Sequence, residues 1–303
     1  MEINDLSQKK QTAKKLTGSL AIRVFLVSFV FLVIPLIFHS LFMYRQEYEL
    51  KKNDVFSSLK ILSKSRLLLF DDIIDDQRDL IKKIYKNTKD MPESKIDKYL
   101  IAKVIENPSV FASILEIENG SLICKYSSDK EVIGKKFSFL LPVVVKGDAF
   151  SIPANKAFPY YKDSMWVGKI INDQNKKPKY VIVSCLSFLY IFDQLKKYEE
   201  PNYKVDLYLV DNKGSIYFCS DPAMMDRELI VDNKDPDKLN EVYLTHWHSK
   251  KHIHHYTYKS MLDEGLAYKI PIADDLSLAL LVSNKNIFTL HHKEYFIRMA
   301  SFL

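Results

Sequence analysis

Glycine and cysteine are scarce in this chain, with seven of the first and three of the second in 303 residues. Neither of the glycine-rich phosphate loops, G-x-G-x-x-G or G-x-x-x-x-G-K-[ST], occurs, and G-x-S-x-G, H-E-x-x-H and C-x-x-C are missing as well. The common catalytic signatures are therefore excluded, and no cofactor is expected. Cys124, Cys185 and Cys219 are too few for a disulfide framework. Cys124 and Cys185 can pair only if their strands are neighbours, and buried free thiols are the simpler reading. A strong charge of one sign is also missing. The net +6 divides into +3 for residues 1–23 and +3 for the remainder. No Lys/Arg run interleaved with aromatics stands out, so nucleic acid is not an expected partner.

What is present is apolar surface. At 47% hydrophobic and 13% aromatic content the chain can bury a full core, and its length fits about two domains. Residues 24–43, "VFLVSFVFLVIPLIFHSLFM", hold no formally charged side chain. At about 1.5 Å rise per residue, such a run matches the thickness of a bilayer core and predicts a transmembrane helix. Lys9, Lys10, Lys14, Lys15 and Arg23 precede it against only Glu2 and Asp5. This basic excess predicts a cytoplasmic tail over residues 1–23 and a periplasmic location for the chain beyond the span, with the protein held in the inner membrane. "IFHSLFMYR" offers no small-x-small cleavage site, so an uncleaved anchor is expected rather than a signal peptide. Pro35 and His39 inside the span read as a kink and an interfacial polar group.

Beyond the span, Val55, Leu59, Leu62, Leu69, Ile73, Leu80 and Ile84 recur mostly at intervals of three, four or seven, without Gly or Pro from Tyr44 to Met91. This predicts a long membrane-emerging helix over residues 44–92, stopped by Pro92. Its stripe is equally a homodimer seam or a face that packs on a following sheet. "ILEIENGSLICKYSS" then reads as a hairpin about Asn119-Gly120, since the tight turn needs positive φ values that Asn and Gly tolerate. "WVGKIINDQNKKPKYVIVSCLSF" reads as a second hairpin with a polar loop over 172–179. "SFLYIFDQLKKY" reads as a short helix with Phe188, Ile191, Phe192 and Leu195 on one side.

The same order returns later. "YKVDLYLVDNKGSIYFCSD" is a hairpin, "LAYKIPIADDLSLALLVSNKNIF" is another, and "TLHHKEYFIRM" is an apolar-to-charged tail. Gly120 and Gly214 are expected at equivalent turns, and a "VS" landmark at Val183 and Val282 keeps similar spacing from each. We read an α+β chain with two copies of one antiparallel-sheet unit, over residues 93–199 and 200–290. Residues 291–303 are expected to form a helix leading toward a second span.

An anchor helix, a long emerging helix and two PAS-like units with these hairpins resemble the double-Cache extracytoplasmic sensor domains of bacterial receptors, over roughly residues 44–297. The tail lengths and wording are also similar to the sensor half of chlamydial RsbU-type serine/threonine phosphatases. The resemblance implies a membrane receptor whose distal unit, 93–199, holds a small ligand and whose proximal unit, 200–290, leads back to the membrane. It also implies an effector, here a partner-switching phosphatase, after a second span. This chain stops at "FIRMASFL", so no enzymatic activity is expected from its own residues.

The resemblance further implies a lid at "AFPYYKDSMWVGK", with Tyr160, Tyr161 and Trp166 as aromatic walls and Lys162 or Lys169 as a cation. Each of these also has the plainer reading of core aromatic or solvated lysine. The amino-acid-sensing Arg-x-x-Trp-Tyr pattern is absent, and a lysine-bearing pocket suits a carboxylate such as an organic acid. A competing feature is "THWHSKKHIHHYTY". Strand alternation would put His246 with His248, and His252 with His254, on shared faces as a metal pair. A pH-responsive patch or a plain polar strand are the other readings, because no Cys, Asp or Glu lies in the cluster and Lys250 and Lys251 repel a cation. An envelope scaffold that has the fold without a ligand is the alternative of a different class.

Overall fold

The computed structural model describes residues 3–144, 149–154, 160–161, 163–173, 177–197, 204–211, 214–220, 228–231, 241–246, 254–259, 264–273, 276–287 and 289. The chain divides into two compact units, residues 1–54 and 55–303. Helix α1 is continuous from Ile3 to Thr88, so the expected membrane segment and the expected emerging helix are one element, with Pro35 inside it. It is the one described helix long and apolar enough to cross a membrane. Val24, Phe25, Phe31, Leu32 and Phe38 are more than half exposed there, as a face meeting lipid requires.

From Val55 onward α1 has a buried stripe. Val55, Leu59, Leu62, Leu80 and Ile84 are buried as their spacing predicts, with Phe56, Phe70, Ile74 and Ile81 beside them. Leu69 and Ile73 are half-buried. The helix ends at Thr88, whose hydroxyl donates to the Ile84 carbonyl at 2.8 Å. Pro92 then caps α2 (Glu93–Glu106), which buries Ile96 and Leu100.

The first sheet contains β1 (Ser109–Glu118), β2 (Ser121–Ser127), β3 (Ala149–Pro153), β4 (Ser164–Asn172) and β5 (Pro178–Ser187), in the spatial order β2-β1-β5-β4-β3. Every neighbour in it is antiparallel. Asn119 and Gly120 both take positive φ, 48° and 74°, as a two-residue turn with both central residues left-handed demands. Between β2 and β3 lie two 3-10 turns, Lys130–Val132 and Ser138–Leu140, and a single turn of helix, α3 (Leu141–Val144). Helix α4 (Phe188–Lys196) follows β5 with Ser187 as its N-cap, and buries the four residues its sequence pattern names.

The second sheet has β6 (Asp206–Asp211), β7 (Ile216–Cys219), β8 (Glu228–Val231), β9 (Glu241–His246), β10 (His255–Lys259), β11 (Glu264–Ala273) and β12 (Leu276–Ser283). Their order is β7-β6-β12-β11-β10-β9-β8. The first five repeat the order of the first sheet, β9 extends it, and β8 adds a parallel edge; the two sheets are named distal and proximal only after the units expected from sequence. Gly120 and Gly214 fall at the same turn, between the first two strands of each copy, both with positive φ. Val183 and Val282 both lie on the strand that pairs with the first.

Registers align residue by residue. Cys124 faces Leu115, which faces Val181, which faces Ile170. In the second sheet Cys219 faces Tyr208, then Ala279, then Lys269. Rings join α4 to the second sheet: Phe188 lies tilted at 5.2 Å from Tyr217, and Phe192 at 4.5 Å from Phe218.

Candidate functional site

Strand alternation gives the distal sheet two faces. Toward α1 point Ala112, Ile114, Val167 and Ser184. The side chain of Gln77 on α1 is buried against that face, where its Oε1 accepts from Ser109 Oγ at 2.9 Å and Ser184 Oγ at 3.0 Å. Away from α1 point Phe111, Leu115, Cys124, Trp166, Ile170 and Cys185, which share one core cluster with Phe137 and Leu140 from the covering segment.

On this second face lies an aromatic layer. Trp166 has no exposed surface, and its ring centroid is 5.6 Å from Phe111, 5.9 Å from Phe137, 5.6 Å from Phe139 and 6.4 Å from Tyr161. Tyr161 stacks on Phe111 at 4.6 Å, and Tyr160 lies 5.4 Å from Phe137. The layer is sealed by a polar rim. The Tyr161 hydroxyl donates to Asp129 Oδ2 at 2.9 Å, while Asp129 Oδ1 accepts from the Glu131 amide as the cap of the 3-10 turn. Tyr161 takes φ +51°, a conformation that costs a bulky residue strain of order 1–3 kcal/mol unless its surroundings hold it. Burial, then the hydrogen bond to Asp129, pushes its phenol far above the usual value, so it stays a donor. Lys135 Nζ stands 5.3 Å from the Tyr160 ring centroid, a cation at the edge of the layer.

The sequence-predicted residues divide. Tyr160, Tyr161 and Trp166 come together, whereas Lys162 lies outside the described residues. Lys169 is not with them. It stands three positions along β4 from Trp166, opposite Ile182, and so points to the α1 side. Trp166 is the floor of the layer rather than an accessible wall. Asp129, Lys135, Phe111, Phe137 and Phe139 belong to the site and were missed. Asp129 closes the "YSSD" that ends the first hairpin, so the strand end marked it; the phenylalanines carried no signal beyond aromatic density.

Cys124, Cys185 and Cys219 are free and buried. Cys124 and Cys185 lie on strands flanking β1, not on neighbouring strands. Burial pushes the Cys124 thiol up to about 11 and that of Cys185 well above its ordinary range, so both are inert thiols. Of the histidine cluster, His246 lies on β9, where its partner is Tyr256 on β10. His254 Nδ1 is 2.9 Å from the Lys269 carbonyl, which fixes its ring. His248 and His252 lie outside the described residues. Among the described residues no group of three His, Cys, Asp or Glu side chains is placed to hold a metal.

A helix leads into two sheets, the first of order 2-1-5-4-3 with a covered aromatic layer and the second repeating that order with two added strands, and this arrangement is shared with solved structures. Solved structures place the chain within that fold. The periplasmic domain of RsbU from Chlamydia trachomatis matches with a TM-score of 0.61 at 14% identity, over 80% of this chain and 97% of that domain. The sensor domain of the histidine kinase DctB from V. cholerae matches with a TM-score of 0.52 at 14% identity, over 78% of this chain and 99% of the other. The ligand-binding domain of the Campylobacter jejuni chemoreceptor Tlp3, in complex with 4-methylisoleucine, matches with a TM-score of 0.50 at 14% identity, over 80% and 93%. No family model and no curated protein matches the chain.

Proposed function

We propose that this chain is the sensing portion of a membrane receptor, binding a small carboxylate in its distal unit outside the cytoplasm. The observation that carries the reading is the aromatic layer with its polar rim. The packed rings, Asp129 fixed by Tyr161, and the exposed Lys135 at the edge of the layer provide the mix of apolar surface and few convergent polar groups that ligand sites have. Two of the similar domains are named as a sensor domain and as a ligand-binding domain, the latter in complex with 4-methylisoleucine. A ligand that closes the segment around Tyr160 and Tyr161 acts at a distance only by favouring one of two arrangements of the domain. Gln77 ties α1 to the distal sheet, so α1 is the element such a choice would move, toward an effector that the resemblance makes a partner-switching phosphatase. Ile61 and Leu68, exposed and seven residues apart on α1, are a seam for a second copy.

The test is calorimetry on the full chain in lipid nanodiscs with succinate, lactate and isoleucine. A carboxylate should bind, and Tyr160→Ala or Lys135→Glu should weaken it by about tenfold, the order of one lost charge-assisted contact. A panel in which nothing binds leaves the fold as a scaffold, and binding indifferent to both substitutions moves the site away from the aromatic layer.

A further inference from the structure

The geometry points to a second binding site on the α1 side of the distal sheet, for a small amphiphilic anion with an apolar body and one carboxylate. A cavity of about 290 Å³ lies where the helix layer turns. Helix α1 stops at Thr88, Pro92 redirects the chain, and α2 starts at Glu93, so the sheet below is left with a gap above it. The floor of the gap is Ile114, Ile171 and Ile182, with Ile96 of α2 at the side, all at most 8% exposed. Such a floor holds water poorly, and about 290 Å³ is close to ten water volumes at roughly 30 Å³ each, room for one ring or a branched chain.

The rim is of the opposite character. Tyr85, Tyr126 and Tyr180 form its walls, and Lys89, Lys125 and Lys179 stand around it against the single acid Glu93. Lys125 is occupied by Glu116 at 3.0 Å, and Glu93 is hydrogen-bonded with Tyr126. Lys89 and Lys179 are then the cations left to meet a ligand, Lys179 already 5.0 Å from the Tyr180 ring centroid. An apolar floor excludes a plain polar metabolite, and two uncommitted lysines favour an anion over an amine. The site lies on the face opposite the aromatic layer, so it does not depend on the function proposed above.

Phenylacetate is the probe, with 2-phenylethanol and phenethylamine as its neutral and cationic counterparts, titrated calorimetrically into the full chain in nanodiscs. Phenylacetate should bind one to one, more tightly than the alcohol, while the amine does not bind. The Lys89→Glu/Lys179→Glu double substitution, at exposed positions that leave the melting temperature unchanged, should weaken phenylacetate at least tenfold, and Tyr160→Ala on the other face should leave it intact. Binding lost in Tyr160→Ala and retained in the lysine double variant assigns the anion to the aromatic layer; it overturns this site while supporting the other. Any other pattern, including equal binding of amine and acid or none of either, overturns it.

Discussion

Where the distal sheet places Trp166, the proximal sheet places Gly265, and where the distal sheet places Ile170, the proximal sheet places Lys269. The equivalence comes from the ladders: Trp166 faces Cys185 and Gly265 faces Ser283, each four positions from the aligned pairs. Both sheets nevertheless use one packing device. A ring from the neighbouring strand lies over a glycine: Phe150 opposite Gly168, Tyr258 opposite Gly265. A Cβ at Gly168 would sit 2.2 Å from Phe150 Cζ, and one at Gly265 2.7 Å from Tyr258 Cε1. The backbone therefore dictates that the face be filled, but not from which strand or with what chemistry. At these positions one copy has Trp166 and Ile170, while the other has Gly265 and Lys269 on a face that also holds Tyr208, Tyr256 and Tyr258. Duplicated architecture leaves each copy free to acquire its own site.

Trp166→Ala tests the filled copy most severely. With four rings against it and no exposure, its removal should cost about 3–5 kcal/mol, read as a fall in denaturant midpoint with unchanged slope. A loss below about 1 kcal/mol would mean that the layer collapses or opens freely, and that the copies differ less than their side chains imply.

The two turn glycines sharpen the comparison next. Gly120 has open space around a Cβ, whereas a Cβ at Gly214 would lie 2.1 Å from the Leu229 carbonyl oxygen of β8, to which the Gly214 carbonyl is already tied by the Leu229 amide at 2.7 Å. Gly120→Ala should cost about 1–2 kcal/mol for its positive φ alone. Gly214→Ala should cost more, roughly 3 kcal/mol, because backbone must also move. Equal melting temperatures for the two variants would deny that β8 makes the proximal turn special.

Gln77→Ala addresses the tie to α1. It strips the acceptor from two buried serine hydroxyls and should cost about 1–3 kcal/mol, with hydrogen exchange rising in β1 and β5 before the proximal strands. Uniform exchange across both sheets would make the node dispensable.

The smallest effect is a gain. Burial lowers the pKa of the Lys269 ammonium, with Asp211 partly opposing the shift. A folded pKa below the unfolded one means that charging this lysine opposes folding. The penalty is full below the folded value and vanishes as pH rises through the ordinary lysine range. Lys269→Met should therefore raise the melting temperature near pH 7 by about 1–2 °C, and the difference should close on the alkaline side. A lower melting temperature would show that the lysine has a native partner worth more than its burial costs.

Much of this fold was legible because its signals are local. Asn119-Gly120 marked a turn, Pro92 marked a break, and the spacing of Phe188, Ile191, Phe192 and Leu195 marked the buried side of α4. The repeat was legible because landmarks recurred in order. The unbroken run of α1 through the membrane segment was not, since composition changes at Tyr44 while helicity does not. Strand β8 escaped notice, and β9 was seen only at its His246 end, because a parallel edge pair is specified by distant partners rather than by a turn. In the site, Tyr160, Tyr161 and Trp166 were visible as a cluster in the sequence, whereas Phe111, Phe137 and Phe139 were not. Lys169 was misplaced for a simple reason: an odd separation from Trp166 on a strand reverses the face, and the hairpin that fixes this was already in view.

The strand order also governs how each copy comes into being. In both sheets the first strand is clasped between the second and the last, Leu115 against Val181 and Tyr208 against Ala279, with most of a repeat intervening. A chain still emerging during synthesis can make the Asn119-Gly120 hairpin at once, but the centre of the sheet must wait until β5 has emerged, across a loop whose closure is slow and entropically costly. Until then β1 offers an unpaired edge and α1 an apolar stripe with nothing to cover it. The interval between synthesis of Leu115 and of Val181 is therefore when the first copy is most exposed to proteases and to its own neighbours, and a pause there would be felt as aggregation rather than as a less stable finished fold.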